Sequence, residues 1–381
     1  PTLFQKYTGY NAELVLTNGK VFSGIGFGYP SIRSGEVVFN TGRVGYTESL
    51  TDPSYSGQIL CFTYPLIGNY GVPDSNILDE FGLPKFFESD RIQCSGLIIH
   101  KLSDIASHWS CVKTLDEWLY QEKIPGIYGI DTRELTKIIR HDGVMMGIIS
   151  SSKTDLEKLD LSKAFEKDRY DDKNFMQTVS SRNIKVYGNS YDKVIVLIDT
   201  GTKFSIIRNL LRRGYKVVQL PWNASFEQVM SIKPKGVVIS NGPGDPKMCQ
   251  ETIKTAKQLI KKSIPTLGIC LGNQILALSA GADTFKLKYG HRGQNKTCMN
   301  IENNQSYITS QNHGYGIDPK TLEMTGFETW FFNPDDQTIE GIIHKNKPAL
   351  AVQFHPEASP GPYDCTFVFD KFTKIIDLNK R

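Results

Sequence analysis

One cysteine between two glycines, in residues 268–272, constrains this chain more than any other feature. The apolar run that ends at Ile269 is typical of a buried strand, and the apolar side chains of residues 275–278 continue at helical spacing. Cys270 is therefore predicted at a strand-to-helix corner, where glycines allow a strained backbone and the first N–H groups of the helix favour a thiolate. Free cysteine is usually a small buried apolar residue. In this setting we predict a nucleophile.

A base for this nucleophile is predicted in residues 349–357, another apolar run that ends at a corner. If the backbone stays extended, the side chains of His355 and Glu357 project to the same side. The carboxylate can then hold one imidazole nitrogen while the other nitrogen faces the thiol, as in a catalytic triad. The histidines without such a carboxylate in a motif are interpreted as structural: His100, His108, His141, His291 and His344.

A glycine-proline loop, Asn-Gly-Pro-Gly-Asp at residues 241–245, follows the apolar run of residues 236–239. Backbone N–H groups in such a loop can approach a ligand without side chains in the way, which suits an oxyanion hole. Taken alone, the loop is a turn signal. Its place ahead of the cysteine and histidine motifs indicates a part of the site.

These three motifs, in this order, resemble a class I (triad) glutamine amidotransferase across residues 191–381. Further segments resemble the small subunit of carbamoyl phosphate synthetase, so the similarity spans nearly the whole chain. Those segments are residues 35–41, 45–46, 51–55, 65–71, 130–136, 311–314 and 354–362.

The resemblance implies a role for each motif residue. Cys270 would attack the side-chain amide carbon of L-glutamine, His355 would pass the thiol proton to departing ammonia, and Glu357 would orient His355. Water would then hydrolyse the thioester to glutamate. The backbone N–H groups of Gly242 and Leu271 would form the oxyanion hole. The family's glutamine-binding residues would be Gly242, Gly244, Leu271, Gln274, Asn312, Gly314 and Tyr315, with Ser54 from the N-terminal domain.

Two positions depart from residues common in the family. Asn273 stands where many relatives carry histidine, and Tyr315 stands where they carry phenylalanine. Relatives adapted to free ammonia lack the cysteine, so the presence of Cys270 predicts a competent glutaminase. The family also implies a partner, a large synthetase subunit or a fused synthetase domain, which uses ATP, Mg²⁺ and bicarbonate. This chain has no Gly-x-x-x-x-Gly-Lys-Ser/Thr run, and we expect no cofactor and no metal in it.

The predicted fold class is α/β, with a strand-rich mixed α/β domain followed by a doubly wound, flavodoxin-like domain. Residues 1–150 contain alternating strand patterns, including a hairpin at Asn18-Gly19. Residues 151–190 are rich in Lys, Asp, Glu and Ser and are interpreted as a charged linker. Residues 191–381 alternate strand and helix, which favours a parallel sheet with its site at the carboxyl ends of the strands.

Composition excludes several classes of protein. The formal net charge of +4 comes from scattered lysines and arginines, which argues against nucleic-acid binding. No apolar run reaches the roughly 18 residues of a membrane span. Seven cysteines without a Cys-x-x-Cys pair argue against a disulfide framework or a zinc site and favour a reducing compartment. No signal or transit peptide is visible, so we expect a cytoplasmic protein, with a mitochondrial location as the alternative.

Other functions fit parts of the sequence. A class I glutaminase of anthranilate or GMP synthesis would share the C-terminal motifs but not the Thr-Asp-Pro-Ser-Tyr run at residues 51–55. A cysteine peptidase or a γ-glutamyl hydrolase would use a similar triad. A non-catalytic scaffold that regulates a synthetase would need no triad. The sequence also leaves open whether the product serves pyrimidine or arginine synthesis.

Overall fold

A computed structural model describes residues 9–150 and 159–379 of the chain, in an N-terminal unit (Pro1–Lys173) and a C-terminal unit (Asn174–Arg381). In these described ranges, no helix is both long and apolar enough to cross a membrane.

Seven of the described strands in the N-terminal unit close into a barrel, in the order β1-β11-β3-β4-β7-β10-β2. The strands of this unit are β1 (Tyr10–Leu16), β2 (Val21–Gly28), β3 (Ile32–Asn40), β4 (Gln58–Phe62), β5 (Leu66–Ile67), β6 (Val72–Pro73), β7 (Gly96–Ile98), β8 (Lys101–Leu102), β9 (Cys111–Lys113), β10 (Pro125–Tyr128) and β11 (Met145–Ser150). Its helices are α1 (Tyr46–Leu50), α2 (Leu115–Gln121), α3 (Thr132–Asp142) and α4 (Leu161–Lys167).

Local sequence signals explain several of these elements. The predicted hairpin is confirmed, since β1 and β2 pair antiparallel and Gly19 in the turn has φ +84°. Helix α3 begins after Asp131, whose side chain accepts a hydrogen bond from the Glu134 N–H. Helix α2 begins with a capping box formed by Thr114 and Glu117.

The C-terminal unit is built on a sheet of ten described strands, in the order β12-β14-β13-β15-β16-β21-β20-β19-β17-β18. These strands are β12 (Lys185–Tyr187), β13 (Lys193–Asp199), β14 (Tyr215–Pro221), β15 (Gly236–Ile239), β16 (Thr266–Ile269), β17 (Thr284–Asn300), β18 (Gln305–Ile317), β19 (Phe327–Phe332), β20 (Ile339–His344) and β21 (Ala349–Val352). The helices are α5 (Met176–Val179), α6 (Phe204–Arg212), α7 (Phe226–Ser231), α8 (Gln250–Lys261), α9 (Leu271–Ala280), α10 (Pro319–Leu322) and α11 (Phe367–Leu378).

The five central strands confirm the doubly wound fold. Strands β14, β13, β15, β16 and β21 pair in parallel, and in chain order this is the 2-1-3-4-5 arrangement of flavodoxin-like sheets. Three neighbouring strands, β15, β16 and β21, lead into the glycine-proline loop, Cys270 and His355. Because parallel neighbours end at the same edge of a sheet, three motifs that are far apart in sequence converge there.

The segment expected to be a charged linker, residues 151–190, contributes to both units. Residues 151–158 lie outside the described residues. Beyond them, α4 belongs to the N-terminal unit, whereas α5 and β12 belong to the C-terminal unit. Strand β12 pairs antiparallel with β14 at the edge of the sheet. Its side chains are exposed or half-buried, so no apolar run in the sequence marks it as a strand.

Candidate active site

Cys270 occupies the corner between β16 and α9 in a strained conformation. Its φ of 55° and ψ of −102° lie in a region that residues with a Cβ rarely adopt. The Cys270 N–H donates to the Val352 carbonyl oxygen (2.8 Å), and the side chain is 1 % exposed. A Cβ at Gly272 would collide with the Ile239 carbonyl oxygen, and one at Gly268 would collide with the Gly272 backbone. Both glycines are therefore needed for the close packing of this corner.

Two backbone donors lie beside this corner. In the described parts of the chain, the N–H groups of Gly242 and Leu271 have no hydrogen-bond partner. A Cβ at Gly242 would collide with the Thr200 carbonyl oxygen and would lie 2.8 Å from Leu271 Cδ2, so the loop and the start of α9 are packed closely. Gly244 has φ +87°, which turns the loop. Two free N–H groups in this position can stabilise negative charge on an oxygen.

The imidazole of His355 is held from one side. Its Nδ1 lies 2.6 Å from Glu357 Oε1, and both side chains are buried. The backbone N–H of His355 donates to the Ser310 carbonyl oxygen (2.8 Å). Nε2 makes no hydrogen bond of ordinary geometry to any residue that the structure describes. Because Nδ1 is occupied by Glu357, Nε2 is the ring nitrogen that is available to the Cys270 side chain.

Lys203 is a buried cation at this site that the sequence analysis did not identify. It immediately precedes α6, and its Nζ lies 3.1 Å from Glu357 Oε1 and donates to the Ala358 carbonyl oxygen (2.6 Å). Lys203 follows the carboxyl end of β13, at the same edge of the sheet as the three motifs. This position in the sequence could have indicated that Lys203 belongs to the site. Lys203 and His355 therefore both stabilise the Glu357 carboxylate.

Electrostatics at the site favour an imidazolium. Burial disfavours charge on Glu357, but Lys203 and His355 lower the pKa of its carboxyl to about 2. Burial and Lys203 disfavour the His355 imidazolium, whereas Glu357 and Cys270 raise the pKa of the ring to about 10. At neutral pH the His355 ring is therefore an imidazolium, and Nε2 carries a proton that it can give to a leaving group.

One of the predicted glutamine-binding residues contacts the sulfur, and three others are linked to it through the strand and a hydrogen bond. The Asn312 carbonyl oxygen lies 3.6 Å from Cys270 Sγ. Gly314 and Tyr315 follow on β18, and Gln274 Nε2 donates to the Tyr315 carbonyl oxygen (2.9 Å). The strand that carries Asn312, Gly314 and Tyr315 therefore passes the nucleophile, and a part of these residues in glutamine binding stays a prediction.

Ser54 lies in the N-terminal unit, on the short 3₁₀ helix Pro53–Tyr55. The Asp52 side chain caps that helix by accepting from the Ser54 N–H (2.9 Å). A part of Ser54 in glutamine binding stays a prediction from the resemblance.

Gln353 is a second residue that sequence reasoning missed. Its Nε2 lies 3.7 Å from Cys270 Sγ, and its Oε1 accepts from Asn273 Nδ2 and Gln274 Nε2, each at 3.1 Å. Asn273 is fully buried. Asn273, which stands where many relatives carry histidine, therefore donates to the amide that reaches the sulfur, and it orients that amide rather than carrying a proton.

Comparisons with known proteins agree with this geometry. A family model described as glutamine amidotransferase class-I matches residues 196–375. A second, described as the CPSase domain of the carbamoyl-phosphate synthase small chain, matches residues 14–149. The C-terminal unit is a class I glutamine amidotransferase domain.

Relatives along the whole chain define the family more narrowly. The carbamoyl phosphate synthase small chain of Pyrococcus furiosus is 48% identical over 369 residues, which cover 96% of this chain and 98% of that protein. The small chain of Sulfolobus acidocaldarius is 46% identical and covers 95% of each. This chain belongs to the carbamoyl phosphate synthase small chain family. The mitochondrial carbamoyl-phosphate synthase [ammonia] of Mus musculus is 44% identical over 97% of this chain, which spans 24% of that protein.

Proposed function

We propose that this chain hydrolyses L-glutamine as the glutaminase component of a carbamoyl phosphate synthase, with Cys270 as the nucleophile. The thiolate attacks the side-chain amide carbon, and the oxyanion that forms accepts hydrogen bonds from the N–H groups of Gly242 and Leu271. The His355 imidazolium protonates the departing nitrogen, and ammonia leaves a glutamyl thioester on sulfur. The observation that carries this proposal is the hydrogen bond between His355 Nδ1 and Glu357 Oε1. Because this bond occupies Nδ1, Nε2 is the nitrogen that can exchange a proton with the sulfur.

The second half of the reaction restores the enzyme. Nε2 of His355, now neutral, takes a proton from water, and the hydroxide attacks the thioester carbon. The same two N–H groups stabilise the second oxyanion, and comparable donors contribute about 3 kcal/mol each in other enzymes. Collapse of this intermediate breaks the carbon–sulfur bond, releases glutamate and regenerates the thiolate with the imidazolium.

Glutamine is proposed to bind along the start of α9, the glycine-proline loop and β18. Gly244, Leu271 and Gln274 would hold the substrate beside the sulfur. Asn312, Gly314 and Tyr315 would contact its amino-acid end. The amide of Gln353 supports this arrangement, because it joins Gln274 to the sulfur.

Ammonia is proposed to pass to a large synthetase chain or domain, which would bind ATP, Mg²⁺ and bicarbonate. The names of the relatives support this partner. A reducing compartment such as the cytoplasm would keep the Cys270 thiol usable. We expect the isolated chain to be a slow glutaminase that its synthetase partner accelerates. Equal rates of glutamate release with and without the partner would argue against this coupling.

Covalent trapping tests the proposed nucleophile directly. Incubation with a chloroketone analogue of glutamine is expected to add one label per chain, which peptide mass spectrometry would place on Cys270. Cys111 in the N-terminal unit is half-buried, and a Cys111→Ser control should label at the parental rate. Saturating glutamine should slow the labelling. Labelling of another cysteine, or no protection by glutamine, would contradict the proposal.

Replacing Glu357 with glutamine is expected to lower kcat for glutamine hydrolysis by about 100- to 10,000-fold, because the imidazole loses its orienting carboxylate. Burial already disfavours the His355 imidazolium, and Glu357 is the group that most raises its pKa. Without the carboxylate, the pKa of the His355 ring falls, and the imidazolium loses its proton at lower pH. The alkaline limb of the pH–rate profile should therefore move toward neutral pH.

A double variant separates catalysis from folding in this experiment. The single change leaves the buried Lys203 ammonium without the Glu357 carboxylate, which should destabilise the fold. The double variant Lys203→Met, Glu357→Gln removes both charges. The double variant should unfold at a higher temperature than the single variant Glu357→Gln. Its rate of glutamine hydrolysis should be no higher than that of the single variant. Recovery of parental activity in the double variant would mean that Glu357 matters for folding alone.

A further inference from the structure

Three buried side chains form a cluster beside the catalytic residues: His291 on β17, His313 on β18 and Glu340 on β20. His291 and His313 are directly paired across the two strands. Glu340 Oε1 lies 3.2 Å from His291 Nδ1 and 3.9 Å from His313 Nε2, and one atom from each residue lies within 4.8 Å of the others. We propose that this cluster binds a divalent transition-metal ion, with Zn²⁺ as the expected ion.

In each imidazole, the ring nitrogen that points away from the cluster has a hydrogen-bond acceptor, as is usual for histidines that bind a metal ion. His313 Nδ1 lies 2.8 Å from the Tyr315 carbonyl oxygen, and His291 Nε2 lies 2.7 Å from Asp336 Oδ2. A backbone carbonyl only accepts, so Nδ1 of His313 carries a proton, and in the neutral ring Nε2 presents a lone pair to the cluster. Metal-binding histidines usually donate their other N–H to a carbonyl or a carboxylate in this way.

Two polar atoms in the cluster lack a donor. Glu340 is fully buried, and its Oε2 has no hydrogen-bond partner anywhere in residues 9–150 or 159–379. The lone pair of His313 Nε2 lies 3.2 Å from Gln311 Oε1, which is an acceptor. The Gln311 amide has this orientation because its Nε2 donates to Thr309 Oγ1 (3.1 Å), whose own hydrogen is donated to the Lys296 carbonyl oxygen, and lies 3.2 Å from Cys298 Sγ. A bound cation would supply positive charge to the Glu340 carboxylate and an acceptor for the His313 Nε2 lone pair.

A proton would satisfy the cluster less well than a metal ion. An imidazolium at His291 bridges Asp336 and Glu340 but supplies nothing to Glu340 Oε2 or to His313 Nε2. A proton on His313 would place two imidazolium rings face to edge, with their centroids 4.9 Å apart in a buried site. Two imidazoles and one carboxylate are ligands that Zn²⁺ prefers, whereas Mg²⁺ and Ca²⁺ prefer oxygen alone. Gln311 Oε1 or a water molecule can complete the coordination.

The proposed ion would be coupled to the glutaminase site through one carbonyl group. The Tyr315 carbonyl oxygen accepts from His313 Nδ1 and also from Gln274 Nε2. Fixing His313 therefore fixes the strand that carries Asn312 and Gly314. The proposal departs from the expectation that this chain binds no metal, which rested on cysteine spacing. Here the ligands are histidine and glutamate from three strands.

Zinc uptake by the full-length chain tests the site. A Cys270→Ala background prevents the nucleophile and His355 from binding zinc as a second site. After treatment with a chelator, this protein is expected to take up one Zn²⁺ per chain, measured by elemental mass spectrometry after gel filtration, and to unfold at a higher temperature with zinc. His291→Gln and Glu340→Gln should abolish stoichiometric uptake. Asp336→Asn should weaken the affinity for Zn²⁺ by about 10- to 100-fold.

The control variant is His344→Gln, which changes a histidine on the same strand as Glu340 and should retain full uptake. X-ray absorption at the zinc edge of the unaltered background protein provides a readout that needs no further substitution, and nitrogen and oxygen ligands alone are expected. No uptake at micromolar zinc would overturn the proposal. Equal uptake by the His291 and Glu340 variants, or sulfur in the coordination shell, would do the same.

Discussion

Cys270→Ala is expected to lower kcat for glutamine hydrolysis by on the order of 10,000-fold or more, because no other atom can form the thioester. The fold should tolerate the change, since alanine is smaller than cysteine and the hydrogen-bonding contacts of Cys270 Sγ are long, 3.6 Å to the Asn312 carbonyl oxygen and 3.7 Å to Gln353 Nε2. Glutamate release by the purified chain measures the loss. The Cys111→Ser control should keep parental turnover.

Measurements on the complex with a synthetase partner distinguish a loss of glutamine hydrolysis from a loss of assembly. Under the proposed function, the Cys270→Ala chain should support carbamoyl phosphate formation from added ammonia while it fails with glutamine. Turnover of glutamine within tenfold of the parental rate would exclude Cys270 as the nucleophile. Loss of both activities would indicate that the substitution damages the assembly rather than the chemistry.

His355→Gln is expected to reduce kcat by about 10,000-fold, since the variant loses the group that moves the proton in both halves of the reaction. Glutamine side chains keep some polar contact with Glu357 but cannot serve as a base. Covalent labelling by the chloroketone analogue should slow by a comparable factor, because it needs the same thiolate. Rapid-quench measurements of a single turnover would separate this step from product release.

His141→Gln provides the matched control for that experiment, because the His141 side chain is 88% exposed on α3. It should leave both the turnover and the labelling rate unchanged. A His355 variant that raised KM but kept its kcat would show that His355 binds substrate and does not transfer the proton.

The alternation of strands and helices in the C-terminal unit could be predicted because each element is marked locally. The apolar run of residues 236–239, which turn residues follow, gives β15 the bounds that the structure has, Gly236–Ile239. The closed barrel of the N-terminal unit could not be predicted in the same way. Its closure depends on pairing between strands far apart in sequence, such as β3 with β11, and local periodicity contains no information on partners.

Site residues within short motifs could be predicted from the sequence, whereas residues that meet only through long-range strand pairing could not. Cys270, His355 and Glu357 stand in short motifs whose spacing already indicates their chemistry. Lys203 meets Glu357 only after the sheet has formed. His291 was interpreted as structural for want of a nearby carboxylate in sequence, yet the structure supplies Asp336 and Glu340 from another part of the chain.

The neighbouring positions of β16 and β21 have a consequence for synthesis of the protein. A ribosome produces the strand that carries the sulfur long before the strand that leads to its base, and the excursion through β17–β20 lies between them. Pairing across so long a loop is slow compared with local folding. The nascent polypeptide therefore carries an unactivated thiol until its last strand is inserted, and completion of the sheet is what makes it reactive.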